Sequence, residues 1–334
     1  MTMQMADMTR ACGELVSLAE ACERIAGGGA WMVAADERQL RELPRGQWIG
    51  GTIPYFMAAD GGVTSREGVF LKPIELPGGA PSICSYDARD IHQVCSDAPE
   101  NGYTLLILPA FSDVHSEFAR NAPNFEDMFG KPLVGWISGV HLDDLGLHRP
   151  ATMDGSRCVL DPLHAVAMHV PLPADMYASV DIVNGMVQGS GDRIRFRETG
   201  FEAGDCLIND VPANLADYLD ACEADLKLPL VADYCGAAIN VSLKGIDRAG
   251  RKVSFYAPVF EGIEYRFAEA PGTLPAMAAD EGKDASFSCN CILNYVYGEL
   301  EGRRTGRFTG PMTFGEIAYL LLNQTLVHLS LHRI

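Results

Sequence analysis

Tyr103-Thr104-Leu105-Leu106-Ile107-Leu108-Pro109 is an unbroken run of apolar, β-branched and aromatic residues, and together with residues 112–140 it decides the fold. Ser112 has the chemistry of a helix N-cap, and Asp113 places a carboxylate in the first turn, where the helix dipole favours it. The pattern predicts a helix running to about Arg120. Residues 131–140 then supply a second apolar strand. A strand with no polar alternation has both faces covered, and the order strand, helix, strand is that of a mixed or partly parallel sheet flanked by helices.

Working towards the N-terminus, residues 68–76 and 31–35 read as strands, and residues 36–43 as a short helix. Residues 47–57 read as one strand carrying Gly50-Gly51-Thr52. Ala11, Leu15, Leu18, Cys22 and Ile25 recur on one helical face and predict an amphipathic helix, stopped by Gly27-Gly28-Gly29. That triplet is no phosphate loop, since no Lys-Ser/Thr follows it and the next element is a strand. Towards the C-terminus, residues 163–172, 177–187 and 193–199 read as strands. The stretch 214–225 reads as a helix on Leu215, Tyr218, Leu219 and Cys222. Residues 239–243 and 253–259 flank a turn at Arg248-Ala249-Gly250, as in a hairpin, and 271–283 has the composition of a linker. The fold class is α/β (α+β), a pair of mixed β-sheet domains with flanking helices. Its expected parts are an N-terminal helix over 1–29, a first domain over 30–172 and a second over 173–334.

Bulk properties agree. A chain of 334 residues is long enough for about two domains. Lys and Arg number 26 against 44 Asp and Glu, a net charge of −18. That field repels a phosphate backbone and anionic membrane surfaces, which excludes nucleic acid and membrane as expected partners. Residues 317–331 are apolar but interrupted by Asn323, Gln324 and His328, too short a run for a membrane span. Asp7, Arg10 and Glu14 break any signal-peptide core, so a cytoplasmic location with ten reduced cysteines is expected.

No G-x-S-x-G, H-E-x-x-H, P-loop or G-x-G-x-x-G pattern occurs, so no enzyme class is expected from motifs. His141 and Asp143 alternate as on one strand face with His148 nearby, a two- or three-ligand metal arrangement without a recognised spacing, set against a solvated loop. Cys289-Asn290-Cys291 places two thiols on one side of a strand. They could hold a soft metal or haem iron, serve as a nucleophile, or simply pack in a tight core. Gly315-Glu316 reads as a glycine permitting close approach, with a carboxylate at the start of a helix. Asn323-Gln324-Thr325 sets polar groups into an apolar run, where they either satisfy a turn or face a ligand.

Phe287-Ser288-Cys289, Thr313-Phe314-Gly315-Glu316-Ile317 and Asn323-Gln324-Thr325-Leu326, in that order, resemble the ending of the FIST (F-box and intracellular signal transduction) sensory family. Asp210-Val211-Pro212-Ala213 with Tyr218, Glu261-Gly262-Ile263 and Gly50-Gly51-Thr52 resemble further motifs of that family in the same order. The sequence departs from the pattern after Ser288-Cys289, where Asn290-Cys291-Ile292-Leu293-Asn294 stands in place of an Arg-bearing stretch. The resemblance implies a stand-alone sensory protein. It would hold a small-molecule ligand between its two halves and act through a histidine kinase or cyclic-dinucleotide enzyme. Gly50, Gly51, Thr52, Cys289, Asn290, Gly315 and Glu316 are the expected ligand-binding residues. The alternatives are a haem-binding nitric-oxide sensor of the same fold, which makes haem the one candidate cofactor, and a cysteine-dependent enzyme using Cys289 or Cys291. The N-terminal helix leaves room for a homo-oligomer.

Overall fold

The computed structural model describes residues 13–234, 237–269, 282 and 285–334. Mixed sheets with few helices make up the chain, which divides into two compact units. The first comprises the described residues of 1–182, 277–320 and 326–334; the second comprises those of 183–276 and 321–325. The expectation of one domain for everything after residue 172 is corrected here. The chain returns to the first unit, because the apolar strands Ala285–Cys291 and Gly310–Thr313 add to the strand Tyr55–Ala58.

Among the described residues, three parallel strand pairs organise the first unit, each joined through a short helix. Ala30–Ala35 pairs with Gln47–Thr52 across the helix Glu37–Glu42. Gly102–Pro109 pairs with Leu133–Ser138 across the helix Asp113–Asn121. Ala285–Cys291 pairs with Gly310–Thr313 across the helix Ile292–Tyr297. The expected strand, helix, strand reading of 103–140 is the second of these, with Ser112 Oγ accepting the His115 N–H at 3.2 Å. The first sheet runs Glu14–Val16, Val69–Ile74, Ala30–Ala35, Gln47–Thr52, Thr152–Asp154, Val159–Asp161. The second carries Glu316–Ala318, Leu133–Ser138, Gly102–Pro109, Ala165–Pro171 and Ser82–Tyr86 in that order. One face of the first sheet buries Val33, Trp48 and Leu71 under Ala21 and Ile25 of the helix Leu18–Ala26 and Leu40 of the helix Glu37–Glu42.

Several local expectations are corrected. The N-terminal helix starts at Leu18, capped by Ser17, while Glu14–Val16 is a strand paired with Val69–Leu71. Leu15 fits a helical face by spacing, but pairing with an open sheet edge satisfies its backbone instead; Ala11 lies outside the described residues. The 47–57 stretch is two strands in different sheets, broken at Ile53-Pro54, because proline has no N–H to give a ladder. Glu316 begins a strand, not a helix, and pairs with Trp136. Residues 271–281 and 283, expected as a linker, lie outside the described residues.

Unit two is antiparallel. Its larger sheet orders Val211–Asn214, Asp205–Ile208, Ile194–Phe196, Glu264–Glu269, Leu230–Tyr234 and Ala237–Val241, and a smaller one orders Gly200–Ala203, Lys252–Val259 and Leu243–Asp247. The turn at 248–250 does close a hairpin, between Leu243–Asp247 and Lys252–Val259, whereas Ala237–Val241 pairs with Leu230–Tyr234. Leu215, Ala216 and Leu219 of the helix Leu215–Ala221 pack with Phe196, Phe255 and Tyr265 in its core. Among the described residues no helix is long and apolar enough to cross a membrane.

Candidate ligand-binding cleft

The carboxyl ends of three strands of the first unit, two paired in parallel in the first sheet and one from the second sheet, open onto one cleft of about 150 Å³. Asp36 follows Ala30–Ala35, Ile53 follows Gln47–Thr52, and Gly139, Val140 and His141 follow Leu133–Ser138. Such strand ends are where open α/β sheets commonly hold ligands, since the backbone turns away there and leaves a crevice. Arg66, from the loop before Val69–Ile74, and Asp144 and His148 complete the charged wall.

Arg66 organises that wall. Its Nη1 donates to Asp144 Oδ2 at 2.6 Å and lies 4.0 Å from Asp36 Oδ2. The guanidinium bond to Asp144 holds that carboxyl below its ordinary range. Asp36 caps the helix Glu37–Glu42 with Oδ1, which accepts the Arg38 N–H at 3.1 Å. Glu37 is engaged by Arg41, with Nε at 2.9 Å and Nη2 at 2.6 Å. His141 stacks on Tyr55 with ring centroids 5.4 Å apart and planes 22° from parallel. Its Nδ1 accepts the Asp143 N–H at 3.2 Å, so the neutral ring carries its proton on Nε2. The Tyr55 hydroxyl accepts the Leu142 N–H at 3.0 Å, which ties the 142–144 turn to the ring under His141. Tyr55 in turn meets Tyr295 edge-on at 5.7 Å, and Tyr295 donates to Glu301.

The unengaged polar atoms are the useful ones. Among the described residues, Nε and Nη2 of Arg66 and Nε2 of His141 donate to no protein acceptor. Asp144 Oδ1 accepts nothing, and Asp36 Oδ2 has only the distant Arg66. Donors and acceptors both remain available on one cleft wall.

The seven residues expected to bind a ligand all belong to the first unit, but they do not come together. Thr52 lines the cleft, although its hydroxyl is taken up by the backbone of Ala151, accepting its N–H at 2.9 Å. Gly50 and Gly51 make room for protein: a Cβ on Gly50 would come 3.0 Å from the Val33 carbonyl oxygen, and one on Gly51 would meet Trp136 and Ile107. The Gly315 carbonyl accepts the Ile137 N–H at 2.8 Å. Glu316 is fully buried, and Thr313 Oγ1 donates to it at 3.3 Å. Asn290 Oδ1 accepts the Cys291 N–H at 2.8 Å and Asn294 Nδ2 at 2.9 Å, fixing the start of the Ile292–Tyr297 helix. In the second unit, Gln324 Oε1 accepts Ser242 Oγ at 2.7 Å and its Nε2 donates to the Lys227 carbonyl at 3.0 Å. The polar Asn323-Gln324 pair thus satisfies a turn.

Cys289 donates to the Gly135 carbonyl at 3.2 Å. Burial, with Glu316 and Cys291 nearby, pushes its thiol well above the ordinary range. A nucleophilic cysteine needs the opposite shift. The void beside Cys289 and Asn290 measures about 10 Å³, the room of one water. Haem does not fit these places: the void beside Cys289 is far too small for it, and His141 and His148 border a charged cleft where a macrocycle needs an apolar one. His141 and Asp143 sit in the turn around Leu142–Asp144, not on a strand. Among the described residues, no three His, Cys, Asp or Glu side chains are placed to hold a metal ion.

Sequence reasoning missed Asp36, Arg66 and Asp144. The available signal was position alone, since Asp36 and His141 follow directly on apolar strand runs.

Fold and cleft together define a multi-sheet α+β protein with a small, charge-paired cleft at the ends of parallel strands. The chain belongs to DUF6976, a family of unknown function, whose model matches residues 16–332. No curated protein and no solved structure matches it.

Proposed function

We propose that this chain is a cytoplasmic binding protein for a small polar ligand, held at the cleft bordered by Asp36, Arg66, His141 and Asp144, and that its occupancy is read by a separate signalling partner. The observation that carries the binding role is the set of unengaged donors and acceptors on that wall. Orientation by a few convergent polar groups is how small-molecule sites achieve specificity. At about 150 Å³ the cleft suits a small molecule. The signalling role, with a histidine kinase or cyclic-dinucleotide enzyme as partner, rests on the resemblance of the motifs at 287–289, 313–317 and 323–326 to the FIST family.

A non-catalytic role is favoured over a cysteine enzyme by the Cys289 thiol, which is buried and pushed up. Native mass spectrometry of the purified chain, followed by thermal shift with a library of soluble metabolites, tests the binding role. The expected result is a saturable stabilisation, as mass action requires of any ligand that prefers the folded state, reduced by Arg66→Met. Stabilisation that is indifferent to Arg66→Met, or none at all, overturns it.

A further inference from the structure

The wall groups also constrain the ligand's charge. Arg66 faces Asp144 at 2.6 Å and Asp36 at 4.0 Å, and Glu37 is already neutralised by Arg41. A lone anion would gain Arg66, with Arg38 also on the cleft lining, but meet the Asp36 and Asp144 carboxylates beside Arg66. A lone cation would gain the carboxylates but meet the guanidinium they hold. Either could use atoms that the Arg66–Asp144 pair leaves free, but it would sit against the like charge that the pair holds in place. A neutral ligand that carries donors and acceptors on adjacent atoms leaves the pair in place. The groups open to such a ligand are Asp36 Oδ2 and Asp144 Oδ1 as acceptors for its hydroxyl hydrogens, and Arg66 Nε and Nη2 and His141 Nε2 as donors to its oxygens. Hydrogen bonds to such ionised groups are the strong ones. We propose, on the footing that this cleft is the ligand site, that it takes a small neutral polyhydroxyl compound, a monosaccharide or polyol with adjacent hydroxyls.

Sugars raise the melting temperature of many proteins simply by exclusion from their surfaces, so the test reads binding directly. Saturation-transfer NMR on the full chain would use D-glucose, D-ribose and myo-inositol, with inorganic phosphate (followed by phosphorus NMR line width) and putrescine as charged probes. The expected result is saturable binding of at least one polyhydroxyl probe, weakened about tenfold or more by Arg66→Met and by Asp36→Asn. Asn caps helices as well as Asp does, so the second variant removes the charge and spares the fold. Binding of phosphate alone, lost in Arg66→Met, or of putrescine alone, lost in Asp36→Asn, would overturn the neutral-ligand proposal and leave the cleft as the site. Polyhydroxyl binding unchanged in both variants, or no saturable binding of any probe, would overturn this proposal. Only a failure of the metabolite library as well would overturn the site itself.

Discussion

A Cβ placed on Gly51 would lie 2.7 Å from Cη2 of Trp136 and 2.8 Å from Cγ2 of Ile107. The glycine is the contact through which the Gln47–Thr52 strand lies against the face of the second sheet, and its requirement is steric. Trp136 and Ile107 are fully buried and have nowhere to move. Gly51→Ala is therefore expected to destabilise the fold by about 1–3 kcal/mol through overpacking. A urea midpoint that stays at the wild-type value would show that the two sheets are not packed this tightly.

Arg66 is expected to behave in the opposite way. Its side chain is 45% exposed, and an ion pair of that kind contributes little to stability. Arg66→Met should shift the folding free energy by less than about 1 kcal/mol while weakening the ligand. A chevron or urea titration with the variant separates the two effects. A large loss of stability would make Arg66 a structural residue, and its effect on binding would then say nothing about contact.

How far these sites are legible in the sequence depends on whether the signal is periodic. The 103–140 unit is legible because an apolar run, a Ser112 cap and a second run each imply the next element. Leu15 and Glu316 mislead for one reason: short stretches are compatible with helix and strand alike, and the sheet edge next to them decides. Gly50-Gly51 and Cys289-Asn290 draw attention as unusual residue types, yet their peculiarity answers to neighbours far along the chain, Trp136 and Gly135 among them. Arg66 and Asp144 lie in loops 78 positions apart, and nothing in local composition marks their meeting.

The cysteines should sort by burial. Cys222 is exposed, whereas Cys95, Cys206, Cys289 and Cys291 are buried. Burial pushes Cys95 and Cys206 up to about 11 and Cys289 well above its ordinary value. Thiolate is the reactive form, so iodoacetamide at neutral pH should modify Cys222 in the native protein and reach these other four only in denaturant. Native alkylation of Cys289, mapped by peptide mass, would contradict its placement and reopen the nucleophile reading.

Two buried histidines should set the response to acid. Burial lowers both His115 and His169 from 6.5 to about 4, and His169 is further held between Thr104 Oγ1 at 2.8 Å and Tyr86 Oη at 3.0 Å. In each, the unfolded chain binds a proton more readily than the folded one. Their contribution is thus fully present above pH 6.5 and is lost as pH falls towards about 4. Each amounts to roughly 3 kcal/mol at full protonation. Urea midpoints measured from pH 7.5 down to 4.5, an interval of about three units chosen to lie mostly above the carboxylate range, should fall steadily. A flat profile there would mean that these rings titrate normally.

Asn240 should be the most sensitive polar position of the second unit. It is fully buried, and its Nδ2 donates to Asn184 Oδ1 at 3.0 Å and to the carbonyls of Asn323 at 3.2 Å and Gln324 at 3.4 Å. Its Oδ1 accepts Asn184 Nδ2 at 2.9 Å, closing a reciprocal amide pair. Asn240→Ala strands those partners without water and is expected to cost about 2–4 kcal/mol. Asn240→Asp should be worse, since an ionised carboxylate cannot donate to the two carbonyls and instead repels them. Limited proteolysis of the alanine variant should then open cleavage sites within 183–276 while 102–138 stays protected. If thermal unfolding of both variants matches wild type, the 321–325 segment is held by something other than this amide cluster.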